Sequence, residues 1–289
     1  MQIMTGGFAA ATATSQQALA LYHDLGDQAG QAEAISNLGF ARYVTDDYQA
    51  AAACHQQALE LFRGLGHRHG QAEALNGLGI VQRLTGDYPA AAASFRQGQT
   101  LTCDLGDRFQ QAVVLNELGV LQRLTGDYSA AATSHQHALE QFSDFGDRNG
   151  QSHALNNLGL VQQLTGDQKA AAASHQQALR LSHDLGQRHE QAEELNSLGE
   201  LSSRSADSQQ ARDYHSQALA IARQIGAPLE QARALEGIGR SYLQYGHARK
   251  GTNVLRQALA ICRRIGALAA QRVQETLLQL RHDNLAPER

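Results

Sequence analysis

Glycine recurs on a fixed 40-residue step at Gly26, Gly66, Gly106, Gly146, Gly186, Gly226 and Gly266. The same step carries a second ladder, Gly39, Gly79, Gly119, Gly159, Gly199 and Gly239. A glutamine ladder runs alongside: Gln31, Gln71, Gln111, Gln151, Gln191, Gln231 and Gln271. Self-similarity at a period between about 20 and 50 residues marks a repeat array. A unit this short cannot bury its apolar face alone, so neighbouring units must stack. That constraint overrides the two-domain prior that 289 residues would otherwise suggest.

One unit, Asp107 to Gly146, gives the local structure. Ala112, Leu115, Leu118, Leu121 and Leu124 are three residues apart and form one apolar helical stripe over Gln111–Leu124. Thr125-Gly126-Asp127 breaks it: Gly126 suits the left-handed position past a helix end, and Asp127 can cap the next helix. Ala131, Ala132, His135, Ala138, Leu139 and Phe142 set a second helix over Tyr128–Asp144. Each unit is therefore expected to be two antiparallel helices joined by short glycine turns. Pro89 and Pro228 fall in first helical turns, where the missing N–H costs nothing. Gly79, Gly119 and Gly159 sit mid-helix, each costing about 1 kcal/mol against alanine. Their recurrence predicts close approach of the second helix, with Ala91, Ala131 and Ala171 facing them and Leu78, Leu118, Leu158 and Leu198 filling the seam.

The string Leu75-Asn76-Gly77-Leu78-Gly79, then Gly86-Asp87-Tyr88, then Ala91, Phe95 and Gly98, resembles a tetratricopeptide repeat. Leu155, Leu158, Gly159, Gly166, Asp167, Ala171, His175 and Ala178 match the same pattern. The longer period is similar to that of Pins/LGN-type polarity adaptors and kinesin light chains. It is also similar to the C-terminal arrays of bacterial regulators of the antibiotic-regulatory and NB-ARC type, and the junction Leu25-Gly26-Asp27 with Gly30-Gln31-Ala32 is worded most like these. The resemblance implies an all-α, right-handed superhelical α-solenoid of antiparallel helix pairs. On this reading residues 1–26 form an incomplete first repeat with only its second helix, 27–266 form six 40-residue repeats, and 267–289 form a capping helix and tail. Thr5-Gly6-Gly7-Phe8 aligns with Thr85-Gly86-Asp87-Tyr88, which predicts a turn there and an apolar flank near Phe8 and Leu19. The chain is thus expected to be the C-terminal piece of a longer protein, or to have its start covered by another chain. The units around Ala206-Asp207-Ser208 and Tyr245-Gly246-His247 depart most from the pattern and are expected to be softer.

Composition narrows the function classes. The chain is 42% hydrophobic and 18% charged, which is ordinary globular composition. No apolar run reaches the roughly 18 residues of a membrane span. Met1–Phe8 carries no basic segment before an apolar stretch, so no secretory signal is read. Cys54, Cys103 and Cys262 form no CxxC and read as residues of a reducing cytoplasm. The net charge of −4 is uneven, with a basic end after residue 200 on an acidic body.

No enzyme, metal or cofactor is implied. His55, His135, His175 and His215 share one column with Phe95. Equivalent positions on stacked helices lie about 10 Å apart, whereas zinc ligands sit about 2 Å from one ion. Ser134-His135 and Ser174-His175 are adjacent on a helix and do not face each other. Gly237-Ile238-Gly239 lies within a helix and lacks a third glycine, so it is no dinucleotide loop.

The resemblance implies that the first helix of each unit lines a concave groove. That face carries Asn76, Asn116, Asn156 and Asn196 as a ladder, with Arg83 and Arg123 beside it. Asparagine offers donor and acceptor, so it can hold an extended peptide by its backbone. The arginines can pair with acidic side chains. The asparagines can equally bond within the array. The expected function is a non-catalytic scaffold for a protein or peptide, the sensing or docking region of a bacterial regulator in the cytoplasm. The alternatives are homo-oligomerisation through the N-terminal end, or an accessory role in a DNA-binding regulator. No motif supports direct nucleic-acid binding, and no membrane contact is expected.

Overall fold

The computed structural model describes residues 2–45, 47–205, 207–265 and 269–283, with side-chain packing described for residues 12–280 of these. Among the described residues there is no strand. The helices in chain order are α1 (Gln2–Asp24), α2 (Gln28–Val44), α3 (Tyr48–Gly64), α4 (Arg68–Leu84), α5 (Tyr88–Leu105), α6 (Arg108–Leu124) and α7 (Tyr128–Asp144). They continue as α8 (Arg148–Thr165), α9 (Gln168–Asp184), α10 (Arg188–Arg204), α11 (Ser208–Ile225), α12 (Pro228–Gln244), α13 (Ala248–Arg264) and α14 (Ala269–Asp283). The even-numbered helices from α2 to α12 open a repeat, and each following odd-numbered helix closes it.

The chain falls into two compact units, Met1–Gly150 and Gln151–Arg289. In the first unit each helix from α1 to α7 packs on the next, and the opening helices also meet: α2 touches α4, and α4 touches α6. In the second unit the same succession runs from α9 to α14, and α10 touches α12. The apolar stripes read from the sequence are what these contacts bury. Ile35, Leu59, Phe62 and Leu75 form one cluster in the first unit. Leu195, Leu235, Ile238, Leu255, Leu259 and Val273 form another in the second. Each fully buried Leu, Ile or Phe contributes about 1.5–3 kcal/mol relative to exposure. Ala91, Ala131, Ala171 and Ala211 are wholly buried, so the backbones of paired helices lie close.

Polar side chains set where each helix starts and stops. Asp47, Asp87, Asp127, Asp167 and Asp207 precede α3, α5, α7, α9 and α11, and each accepts a hydrogen bond from the backbone N–H three residues on. That satisfies one donor the helix leaves open. The sequence places α7 at its observed bounds. Helix α6 begins three residues before the expected Gln111, because the Asp107 carboxylate already holds the Gln110 N–H at 3.0 Å. Helix α5 closes on Gly106 in the left-handed conformation (φ 66°), which a side chain disfavours.

One sequence expectation ends differently. The turn expected at Thr5-Gly6-Gly7-Phe8 is absent: the backbone is helical through it as part of α1. The site has Gly-Gly where later repeats have Gly-Asp, so it lacks the carboxylate that caps those helices. The side chain of Phe8 lies outside the described residues, as do Ala206, Gly266 and Leu268. Despite the altered turn, Asp207 still caps α11 at 3.0 Å. At the other divergent turn the cap is missing: His247 precedes α13 without a side-chain hydrogen bond to it. Substituting His247→Asp restores the group found at the five equivalent turns and places an anion beside the helix N-terminus. The expected outcome is a gain of about 1 kcal/mol in unfolding free energy, read from urea melts.

Candidate partner-binding face

Five repeats are built around a ring of the closing helix seated on a glycine of the opening helix; in the last, Leu255 takes that place on Gly239. A Cβ at Gly119 would lie 2.7 Å from His135, one at Gly159 2.7 Å from His175, one at Gly199 2.6 Å from His215, and one at Gly79 2.6 Å from Phe95. The mid-helix glycines therefore make room for this ring; it, and not the alanine expected to face them, supplies the nearest side-chain atoms. His135 and His175 are fully buried, and His215 is 1% exposed. Burial depresses the pKa of His55, His175 and His215 to about 4. It takes that of His135 to about 3, with the positive charge of Arg123 adding to the effect. These rings are neutral at pH 7.

The asparagine ladder is tied to this column. Nδ1 of His135 lies 2.9 Å from Oδ1 of Asn116, and Nδ1 of His215 lies 3.0 Å from Oδ1 of Asn196. Each asparagine stands 19 residues before its histidine. Asn196 is wholly buried, and its Nδ2 donates to the carboxylate of Glu230 at 2.7 Å and to the Glu230 carbonyl at 3.1 Å. That fixes the amide, so Nδ1 of His215 is the donor to Oδ1. The same step fails elsewhere for visible reasons. Asn76 faces Phe95, which has no polar atom, and its Oδ1 is buried without a hydrogen bond. Asn156 would meet His175, but that ring is turned to Glu194 at 2.6 Å and Gln163 at 3.1 Å, and Oδ1 of Asn156 is likewise left without a partner. His55 has Ser36 nineteen residues before it, and its Nδ1 is unsatisfied.

The arginines are also partly committed. Arg83 donates to Glu117 at 3.0 Å, with both side chains mostly buried. Arg123 is half-buried beside the His135 pair. In the second unit Arg233 is held by Glu200 at 2.9 Å and Glu230 at 3.3 Å, while Arg272 reaches Glu236 at 2.8 Å. Sequence reasoning passed over this acidic set. Its signal was a break in the repeat: Glu194 replaces the Ala74, Val114, Ala154 and Ala234 of equivalent positions on a buried stripe. Burial raises the Glu194 pKa well above its ordinary value, and the nearby Glu193 carboxylate adds to the effect.

Two cavities of about 330 Å³ each open on the opening helices. Both lie where the repeat has a second glycine, Gly77 and Gly237, in place of the Glu117, Asn157 and Ser197 found elsewhere. In the first, His55 and Asn76 meet Phe40, Tyr43, Ile80 and Glu73. In the second, His215 lies beneath Arg204, Arg233, Arg240 and Arg272 with Glu200 and Glu236. Among the described residues no group of three His, Cys, Asp or Glu is arranged to hold a metal ion. Among them, too, no helix is long and apolar enough to cross a membrane.

The four buried histidines bind protons more weakly folded than unfolded. Their stabilising contribution is complete above pH 6.5 and falls as pH drops towards 4, at roughly 1 kcal/mol per pH unit for each group. Glu194 works in the opposite sense, since its raised pKa costs stability as pH rises above 4.5. It is one group against four. Unfolding free energy measured in urea is expected to fall between pH 7 and pH 5. The His135→Phe variant, which copies the natural Phe95, should lose less over that interval; parallel curves would show that His135 is not part of the linkage.

Solved structures share this arrangement of helices. The chain is 20% identical to PilF of Pseudomonas aeruginosa, with a TM-score of 0.60 over 85% of this chain and 97% of that one. A signal-transduction ATPase with a tetratricopeptide repeat sensor, from Pyrococcus horikoshii, is 13% identical, with a TM-score of 0.68 over 87% of this chain and 38% of that one. A Rap protein solved with competence and sporulation factor is 11% identical, with a TM-score of 0.65 over 89% and 75%. At these identities the likeness is one of fold. No curated protein sequence matches the chain. The tetratricopeptide repeat family model matches residues 30–102 and 110–182, half of the chain. Helix pairs, ring-on-glycine seams and this match agree: the chain belongs to the tetratricopeptide repeat family.

Proposed function

We propose that this protein is a non-catalytic scaffold that binds a protein or peptide on the faces of its opening helices, and that it serves as the sensing or docking region of a bacterial regulator. The observation that carries the reading is the unequal use of the asparagine ladder. Asn116 and Asn196 spend their amide oxygens on buried histidines. Asn76 in the first unit and Asn156 in the second keep theirs unsatisfied, each at the equivalent position of its own opening helix. A buried acceptor without a hydrogen bond costs about 1–3 kcal/mol, so turning either amide out to meet a backbone N–H of a bound segment is favoured. The relatives support the direction: one is named for a tetratricopeptide repeat sensor, another was solved with competence and sporulation factor, and a third, Cut9, within a hetero-tetramer with Hcn1. Affinity on this reading comes from many contacts and shape, with no bond made or broken.

The experiment is selection of peptides from a displayed library on the full chain, followed by titration of the winners against variants. Asn76→Ala and Asn156→Ala should each weaken capture about fivefold, the equivalent of one hydrogen bond of about 1 kcal/mol, without lowering the melting temperature. Asn196→Ala should instead lower stability, because it strands Nδ1 of His215 and removes one of the partners of Glu230. Peptides that bind equally well to both single variants would remove the asparagine face from the reading.

A further inference from the structure

The Gly77 cavity has one coherent chemistry. Its floor holds two unsatisfied polar atoms, Nδ1 of His55 and Oδ1 of Asn76, and His55 is 5% exposed. Its rim carries the Glu73 carboxylate. Its wall is aromatic: Phe40 is 58% exposed, with its ring centroid 5.9 Å from that of Tyr43. Among the described residues that line it, none is lysine or arginine. The existing contacts of Glu73 are loose, at 3.3 Å to His69 and 3.5 Å to Gln110. The site is therefore rich in acceptors, negative at its mouth and flat on one side. The Gly237 cavity differs, since three of its arginines already pair with glutamates.

We infer that the Gly77 cavity receives an arginine side chain of a protein partner. The guanidinium presents five N–H donors in a plane. It stacks on the exposed Phe40 ring, pairs with Glu73 and, once the Asn76 amide turns toward the cavity, donates to its Oδ1. A volume of about 330 Å³ accepts one such side chain with room for water. The room exists because residue 77 has no side chain: a Cβ there would lie 2.5 Å from His55. The equivalent Glu117 fills this space in the next repeat and uses its carboxylate on Arg83 within the protein. The inference rests on the partner-binding reading above and narrows it to one residue type at one place.

The test uses the full chain, labelled with ¹⁵N, and two small probes. N-acetyl-arginine methylamide is titrated against N-acetyl-citrulline methylamide, its neutral isostere. The arginine probe should give saturable shifts at the backbone amides of Asn76, Gly77 and Ile80, and the citrulline probe should bind at least fivefold more weakly. Glu73→Gln and Phe40→Ala, both at exposed side chains, should each weaken the arginine probe at least threefold without altering the melting curve. Equal response to the two probes, shifts elsewhere on the chain, or none at all would overturn the inference. Spermidine binding the same amides more tightly than the arginine probe would overturn the choice of a protein partner as the source. A library-selected peptide that uses Asn156 but carries no basic residue at Gly77 would sink this inference while leaving the broader function intact.

Discussion

The seat of one ring on one glycine governs the rest of this structure. Removing a side chain from the middle of a helix costs about 1 kcal/mol, and here the loss is matched by a neighbour's ring in the vacated space in five repeats and by Leu255 in the last. The ring is histidine in four repeats and phenylalanine in one. Histidine brings a polar atom into an apolar seam and must be given a partner, since a buried polar group without one is costly. For His135 and His215 the opening helix answers with an asparagine nineteen residues earlier. Glycine, ring and asparagine are thus one device, and the binding face inherits whatever that device leaves unused.

This explains why the fold was legible in the sequence and the site was not. Periodicity of glycine, leucine and alanine dictated helix pairs, because those residues act through size and backbone conformation alone. Asp127 and Gly126 marked the start and stop of helices at the residue level. The asparagines carry no such self-evident meaning. Asn76 and Asn116 have the same position and nearly the same neighbours, yet one is unsatisfied and one is engaged. The difference lies nineteen residues away, in the choice of Phe95 or His135. Only the packed hairpin shows that these positions face each other.

The irregular positions were the ones with chemical content. Glu194 breaks an alanine stripe and turns His175 away from Asn156. Gly77 and Gly237 break a polar position and open the two cavities. In a repeat array the consensus carries stability, and individuality is written in departures from it. The two cavities illustrate the point. They share a glycine, a histidine and a size, but differ in the charges around them, acidic and aromatic in one, dense with arginine in the other.

The nineteen-residue tie between asparagine and histidine also speaks to how such a chain assembles. Both partners belong to a single hairpin, and the widest hydrogen bond among those described, Arg204 to the Gln163 carbonyl, spans 41 residues. Low contact order of this kind goes with rapid folding. A hairpin leaving the ribosome can close the bond between its own asparagine and histidine before the next one is synthesised, whereas ties such as Asn196 to Glu230 wait for the successor repeat.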